Sequence, residues 1–155
     1  MQLHLLAVGK LRPAYREACD DYLRRLRRVL PVTEREVREA GRAGSVARQR
    51  GDEGARLLEA MSGPVDGVLL DLDGAQWSSE TLATTLQTWR ERGRDVAFVI
   101  GGAVGVSTEV RARCATSWSL GPLTLPHELA RVVVAEQLYR ATTILRGEPY
   151  HKGER

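Results

Sequence analysis

One short stretch indicates the architecture most strongly, and it reads Asp95-Val96-Ala97-Phe98-Val99-Ile100-Gly101-Gly102-Ala103-Val104-Gly105. After its first residue the run 96–100 is wholly apolar, and it is predicted as the most apolar short strand in the chain. The strand opens directly into a glycine-rich turn, where backbone can approach a ligand closely and adopt positive φ. Because ligands of open α/β sheets bind beyond the carboxyl ends of strands, this turn is a candidate binding element.

Strand and helix patterns alternate on both sides of this stretch, which predicts an α/β fold with a mainly parallel sheet flanked by helices. Asp73-Gly74 is predicted to close the third strand as a turn. The stretch 40–54, with four glycines among arginines, is predicted to begin as a loop and to run into a helix that ends near Met61. The other predicted strands and helices are strands 2–8, 32–39, 65–72, 95–100 and 116–120 and helices 14–29, 78–92, 107–114 and 127–146.

Composition limits the class of protein. The chain has 155 residues, enough for one domain with a sizeable core, with 43% hydrophobic and 28% charged residues. No apolar run approaches the roughly 20 residues of a membrane span. The N-terminal residues resemble a strand and not a signal peptide, and Cys19 and Cys114 stand alone, so we expect a cytoplasmic protein without disulfide or metal site. A net charge of +3 is weak evidence for nucleic-acid binding, although arginine greatly outnumbers lysine.

Two loops at predicted strand ends leave several interpretations open. The glycine turn is neither a phosphate-binding loop with Gly-Lys-Ser/Thr nor a dinucleotide fingerprint, so by itself it is either a binding turn or a plain tight turn. The segment 119–126 is apolar, yet two prolines and a glycine exclude regular structure. Its backbone polar groups need partners, which either the protein itself or a ligand such as an adenine ring would supply.

The last predicted helix is apolar almost all round, which suggests that a second subunit covers part of it. Ionisable side chains interrupt this surface, among them His127, Arg131, Glu136 and Arg140. Glu136 and Arg140 are spaced as an ion pair. Arg131 has no obvious local partner, so it is a candidate for binding phosphate or carboxylate, and His127 shares its face. The tail 146–152 combines an aromatic ring with cations and is either disordered or stacks on a base.

The ordered set of these motifs resembles a known family. The runs that carry the resemblance are Leu5-Leu6-Ala7-Val8-Gly9-Lys10, Val99-Ile100-Gly101-Gly102, Ser117-Trp118-Ser119-Leu120, Leu123-Thr124-Leu125-Pro126-His127, 131–141 and Pro149-Tyr150-His151-Lys152. They are similar to those of the bacterial large-subunit rRNA pseudouridine N3-methyltransferases of the SPOUT superfamily. The resemblance covers essentially the whole chain and departs at Ala103 and Val104, where relatives often carry Pro-Glu. An acidic side chain in this turn is therefore not expected to take part.

The resemblance implies a fold, an assembly and a cofactor. The chain 1–155 would form a single SPOUT domain whose C-terminal segment threads a deep trefoil knot, an architecture that is otherwise very rare. It would be a homodimer. An exchangeable S-adenosylmethionine would bind without a metal at Leu70, Gly101, Gly102, Gly105, Leu120, Gly121, Pro122, Leu123, Thr124 and Leu125.

The implied reaction is methylation of N3 of a pseudouridine in 23S rRNA of assembled ribosomes. A positioned general base would help the N3 proton to leave, and His127, Glu136 and His151 are the candidates. The residues expected to hold RNA are Arg131, Arg140, Tyr150, His151 and Lys152. A non-catalytic ribosome-binding protein with the same fold is the alternative function.

Overall fold

The computed structural model describes residues 1–42 and 44–152. Residue 43 of the predicted basic loop and the last three residues of the predicted domain lie outside the described residues. The elements, in chain order, are β1 (Leu3–Val8), α1 (Pro13–Arg27), β2 (Val32–Val37), α2 (Val46–Ala60), β3 (Val65–Gln76), α3 (Ser79–Glu91), β4 (Asp95–Ile100), α4 (Thr108–Arg113), β5 (Thr116–Ser119), α5 (His127–Leu145) and a 3-10 helix (Pro149–Lys152).

The described strands form a five-stranded sheet in the order β2-β1-β4-β3-β5, and all of its pairings are parallel. β4 lies in the centre, where Phe98 pairs with Leu5 of β1 and Val68 of β3. The side chains of 96–100 are all buried, as expected for a strand with neighbours on both sides and helices on both faces. The predicted α/β fold with a mainly parallel sheet is confirmed.

Helices cover both faces of the sheet and separate two hydrophobic clusters. α1, α3 and α5 pack on one face, where Leu5 of β1 joins Leu23 of α1 and Leu138 of α5. α2 and α4 pack on the other face, where the next residue, Leu6, joins Leu57 of α2. Successive side chains of a strand point to opposite faces, so the buried side chains of β1 alternate between the two clusters.

The third strand differs from its prediction. β3 does not end at a turn but continues to Gln76, with a register shift against β5 between Leu70 and Ala75. A Cβ on Gly74 would lie 2.7 Å from the backbone nitrogen of Trp118, so only glycine lets the two backbones approach this closely. Asp73-Gly74 therefore forms an irregularity within the strand, because strand pairing outweighs the turn tendency of this dipeptide.

Serine caps fix where three helices begin. Ser45, Ser78 and Ser107 each accept a hydrogen bond from the backbone three residues further on, which satisfies an otherwise unpaired N–H group. The predicted starts of helices 78–92 and 107–114 coincide with two of these caps. The helical part of 40–54 begins at residue 46, so Gly51 and Gly54 lie inside α2. Among the described residues no helix is long and apolar enough to cross a membrane.

Candidate active site

The carboxyl ends of β3, β4 and β5 enclose a cleft of about 470 Å³. Leu70 and Asp71 line it from β3, and residues 101–103, 105 and 106 line it from the turn after β4. The segment after β5 supplies Leu120 and 123–125, and α5 supplies His127 and Ala130. The two loops singled out in the sequence therefore meet at one cleft, where ligands of this fold class bind.

The glycine turn after β4 is tight and is held from outside. Gly105 has φ of +79°, a conformation that L-residues rarely adopt. Its N–H donates to the Gly102 carbonyl at 3.1 Å. The Arg50 side chain of α2 donates to the Val104 carbonyl. These contacts fix the turn at the carboxyl end of β4, and Gly101 and Gly102 of this turn face the cleft.

The segment after β5, residues 120–125, makes few bonds of its own. The Ser119 hydroxyl donates to the Gly121 carbonyl and accepts from the Gly121 N–H, and Gly121 has φ of +118°. Within the described chain, the backbone of 122–125 makes no hydrogen bond. Leu123 is 74% exposed. This segment therefore presents unpaired backbone groups and an uncovered apolar side chain to the cleft.

An ion pair between Asp71 and Arg111 flanks the cleft. Partial burial raises the pKa of the Asp71 carboxyl, but the hydrogen bonds from Arg111 and the Asp73 N–H outweigh burial, so the pKa lies below its ordinary value. Asp71 is thus a carboxylate at neutral pH, held at the end of β3. Its neighbour Leu72 is 55% exposed and lines the same wall.

The amino end of α5 points at the cleft. His127 is its first residue, and the preceding Pro126 offers no side-chain cap to the helix. Unpaired N–H groups give a helix amino end partial positive charge. On the next position, Glu128 accepts from both the backbone and the guanidinium of Arg12, which ties α5 to the start of α1.

Comparisons with known proteins identify a family to which the chain is similar. The family described as "Predicted SPOUT methyltransferase" matches residues 1–151. The Ribosomal RNA large subunit methyltransferase H of Methylococcus capsulatus is 44% identical over 155 residues, covering 98% of this chain and 100% of the relative. The protein of the same name from Anaeromyxobacter sp. is 47% identical over 154 residues, covering 98% and 100%.

Solved structures share the fold. A putative methylase family protein from Neisseria gonorrhoeae has a TM-score of 0.57 at 14% identity, covering 89% of this chain and 81% of its own. A putative methyltransferase from Legionella pneumophila, in complex with the bound cofactor SAM, has a TM-score of 0.51 at 14% identity, covering 91% and 66%. At such identities the likeness bears on the fold alone.

The chain belongs to the SPOUT methyltransferase family. The resemblance noted in the sequence is thereby confirmed. The fold class is confirmed as well. The chain has a five-stranded parallel sheet flanked by helices, and its SPOUT neighbours imply an α/β-knot. The cleft at the ends of β3, β4 and β5 is therefore the candidate active site of a SPOUT methyltransferase.

Most of the positions expected to contact the cofactor line this cleft, but two do not. Gly121 lies instead in a smaller neighbouring cavity of about 260 Å³, beside Trp77 and Gln137. Pro122 lines neither cavity. The expected cofactor residues in the cleft are Leu70, Gly101, Gly102, Gly105, Leu120, Leu123, Thr124 and Leu125.

Arg131 requires a correction. It has no partner nearby in sequence, but its guanidinium bonds to Glu36 and Glu34 of β2 and donates to the Gly9 carbonyl at 2.8 Å. Its side chain is 1% exposed. These partners are remote in sequence, so helical spacing could not indicate them. An arginine enclosed in this way has no face left for an RNA phosphate.

The C-terminal cluster lies where the 3-10 helix packs on α5. It consists of Glu136, Arg140, Tyr150, His151 and Lys152. Glu136 accepts from Arg140 at 2.6 Å and from the Tyr150 hydroxyl at 3.1 Å, which confirms the ion pair expected from spacing. The Arg140 guanidinium lies 4.8 Å from the centre of the Tyr150 ring. Burial, followed by contacts that include the Glu136 carboxylate, raises the pKa of Tyr150, so its phenol stays protonated. His151 is half-buried and Lys152 exposed.

These placements separate the three candidate bases. Only His127 lines the cleft of its own chain, while Glu136 and His151 lie in the C-terminal cluster. Sequence reasoning missed Arg111, Leu72 and Val106, which also line the cleft. It missed Glu53 of α2 as well, which is buried behind the glycine turn. The spacing of four residues between Glu53 and Leu57 puts both on the apolar side of α2, and this spacing could have predicted that Glu53 is buried.

Proposed function

We propose that this chain methylates N3 of a pseudouridine in 23S rRNA of assembled ribosomes, with S-adenosylmethionine as the methyl donor. The observation that carries the proposal is the cleft formed jointly by the ends of β3, β4 and β5 in a SPOUT chain. Relatives that match over their full length are named Ribosomal RNA large subunit methyltransferase H. We also propose that residues 1–155 form one domain and that the protein acts in the cytoplasm.

The cleft suits the proposed cofactor in size and chemistry. Its volume falls within the range of about 300–1,000 Å³ that is usual for small-molecule sites. Leu70, Leu120 and Leu125 offer apolar surface to the faces of an adenine ring. The unpaired N–H and C=O groups of 122–125 can bind its polar edge. The putative methyltransferase from Legionella pneumophila, which has a similar fold, was solved in complex with SAM.

The reaction asks little of side chains beyond positioning. When bound, the sulfonium of S-adenosylmethionine supplies an already activated methyl group. The chain must hold the acceptor nitrogen in line with that group and receive the proton that N3 loses. His127 is the candidate that stands in the cleft, at the amino end of α5. A His127→Asn variant should lose at least tenfold in kcat while binding S-adenosylmethionine normally.

The assembly proposed for the chain is a homodimer formed through α5. In the single chain Leu129 and Val133 stay partly exposed, and Leu145 is exposed, although most of this helix is apolar. A second copy covering this face would bury them. It would also place the C-terminal cluster of Arg140, Tyr150, His151 and Lys152 at the boundary between subunits. We propose that this cluster holds the RNA.

Nucleoside analysis of rRNA tests the substrate. Mass spectrometry of 23S rRNA from a deletion strain should reveal loss of one methylated pseudouridine, and the wild-type gene should restore it. Unchanged nucleosides in the deletion strain would refute the proposal. Calorimetry with S-adenosylmethionine separates the enzyme from a non-catalytic ribosome-binding protein, because a pure binder would give no heat with this cofactor.

A tail variant tests the RNA contacts. A Tyr150→Ala, His151→Ala double variant should lower methylation of ribosomes at least tenfold without weakening cofactor binding, since these side chains lie outside the cleft. The matched control is Arg146→Ala, Glu148→Ala, which removes an exposed ion pair from the same tail. Undiminished activity of the Tyr150 and His151 variant would rule this segment out.

A further inference from the structure

Glu53 is a buried carboxylate with half of its hydrogen-bonding capacity unused. Its side chain lies on α2 and is 5% exposed. One oxygen, Oε2, accepts from the Ala40 N–H at 3.0 Å. The other oxygen, Oε1, has no partner among the described residues and is shielded from solvent. No arginine or lysine of the described chain forms an ion pair with it.

The unpaired oxygen lies behind the glycine turn. A Cβ built on Gly102 would stand 3.1 Å from Glu53 Oε1 and 3.0 Å from a methyl carbon of Val8. Gly102 itself faces the cleft, whereas Glu53 does not line it. One turn earlier on α2, Arg50 bonds to the Val104 carbonyl of the same turn. The same side of α2 therefore supports the turn from the side opposite the cleft.

An unpaired buried carboxylate oxygen is unfavourable, so its presence calls for a physical reason. The adjoining turn offers suitable donors. Gly105 donates its N–H within the turn, but the N–H groups of Ala103 and Val104 make no hydrogen bond to any described residue. The turn therefore holds two unpaired donors directly after Gly102, the residue beside the unpaired Oε1.

We propose that Glu53 is a positioning residue for the glycine turn. Its Oε1 accepts an N–H of the turn when S-adenosylmethionine occupies the cleft, and this bond fixes the backbone that faces the cofactor. The inference rests on the proposed function, because it needs a ligand that reorganises the turn. Glu53 acts through the turn and does not touch the ligand.

A Glu53→Gln variant isolates the second oxygen. Glutamine has nearly the same shape and can still accept from Ala40 with its single oxygen, so the contact present without ligand survives. Its NH₂ group then faces the turn, where it cannot accept an N–H. Only a carboxylate accepts at both ends. A role limited to holding Ala40 would therefore be preserved by glutamine.

The measurements are the calorimetric Kd for S-adenosylmethionine, the Tm without ligand, and hydrogen exchange of peptides covering 101–107 with and without ligand. We expect a Tm close to that of the wild type, a Kd about tenfold weaker, and loss of ligand-induced protection in the turn. Glu59→Gln, an exposed position on the same helix, is the control and should match the wild type. A Kd within twofold of the wild type would overturn the proposal.

A second variant keeps the inference testable if Glu53→Gln folds poorly. Gly102→Ala places a methyl group between the turn and Oε1, pointing away from the cleft toward Glu53 and Val8. It should weaken binding by a similar factor. Where Glu53→Gln also folds, the double variant should be no worse than either single one. Multiplicative losses would contradict the shared contact. Absence of binding by the wild type would instead refute the proposed function, which separates the two failures.

Discussion

The cleft and the surroundings of Arg131 lie close together at the carboxyl edge of the sheet, yet they use polar groups in opposite ways. The Arg131 network, which comprises Arg131, Arg16, Glu34 and Glu36, is dense: Arg131 bonds to both glutamates and to the Gly9 carbonyl. Arg16 bonds to the same glutamates. In the cleft, backbone groups of 122–125 are unpaired and Leu123 is exposed.

This difference distinguishes a site from a structural element better than residue type does. Arginine in a helix suggested anion binding, but both terminal nitrogens of Arg131 already bond inside the protein, and its Nε, which has no partner among the described residues, is buried. The residue types of the apolar loop 122–125 gave little indication by themselves. Its unpaired backbone groups and its exposed Leu123 side chain can form hydrogen bonds and apolar contacts with a ligand. The Arg131 network should therefore govern stability, and the cleft should govern binding.

The largest expected effect is on the Arg131 network. Arg131→Met removes a buried cation from Glu36 and from two backbone carbonyls while keeping an apolar side chain of similar length. We expect the free energy of unfolding to fall by about 2 kcal/mol or more, since the buried Val8 and Gly9 carbonyls lose their donor, whereas both glutamates keep Arg16. Urea denaturation followed by circular dichroism measures it.

The matched control for this prediction is Arg90→Met, at an exposed position of α3 without an ion pair among the described residues. It should change stability by no more than about 0.5 kcal/mol. If Arg131→Met were as stable as the control but defective with ribosomes, the structural assignment would be wrong. Arg131 would then return to the candidates for RNA contact.

The next effect concerns the cleft. Leu123→Ala removes an apolar side chain that is exposed without ligand, so stability should stay unchanged while the Kd for S-adenosylmethionine weakens by about tenfold. Val46→Ala, which shortens an exposed apolar side chain at the start of α2 outside the cleft, is the control and should leave the Kd unaltered. A loss of stability in the Leu123 variant would mean that the loop packs internally and is not held open for a ligand.

Local patterns were sufficient for most of the fold. The run 95–100 is a strand with the predicted bounds, because a wholly apolar segment next to glycine suits a central parallel strand. Ser78 and Ser107 were recognisable as caps from short-range chemistry. Gly101 and Leu125, predicted to face one ligand, line one cleft because ends of parallel strands meet at one edge.

What the sequence could not reveal depends on contacts between distant residues. Gly74 looked like a turn residue, and only its approach to Trp118 explains why the strand continues. The partners of Arg131 lie on β2, almost a hundred positions earlier. Glu53 resembled an ordinary helix glutamate until folding brought it behind Gly102. In each case three-dimensional proximity decides the role, and no local pattern encodes it.

The smallest expected effect belongs to Glu128, on the first turn of α5 between the cleft and the Arg131 network. The backbone N–H of Arg12, followed by its guanidinium, lowers the pKa of this carboxyl. A carboxyl with a depressed pKa stabilises the fold above its unfolded value near 4.3, and this contribution disappears as pH falls through the folded pKa. Wild type should therefore be slightly more stable than Glu128→Gln at pH 7.

The difference between the two proteins should shrink as the pH falls below about 4, which urea titrations at neutral and at acidic pH measure. Glu17→Gln, an exposed change on α1, is the control and should show no such pH dependence. If Glu128→Gln matched the wild type at pH 7, the tie between α5 and α1 would add nothing to stability. The position of His127 beside the cleft would then depend on the packing of α5 and on the Arg131 network alone.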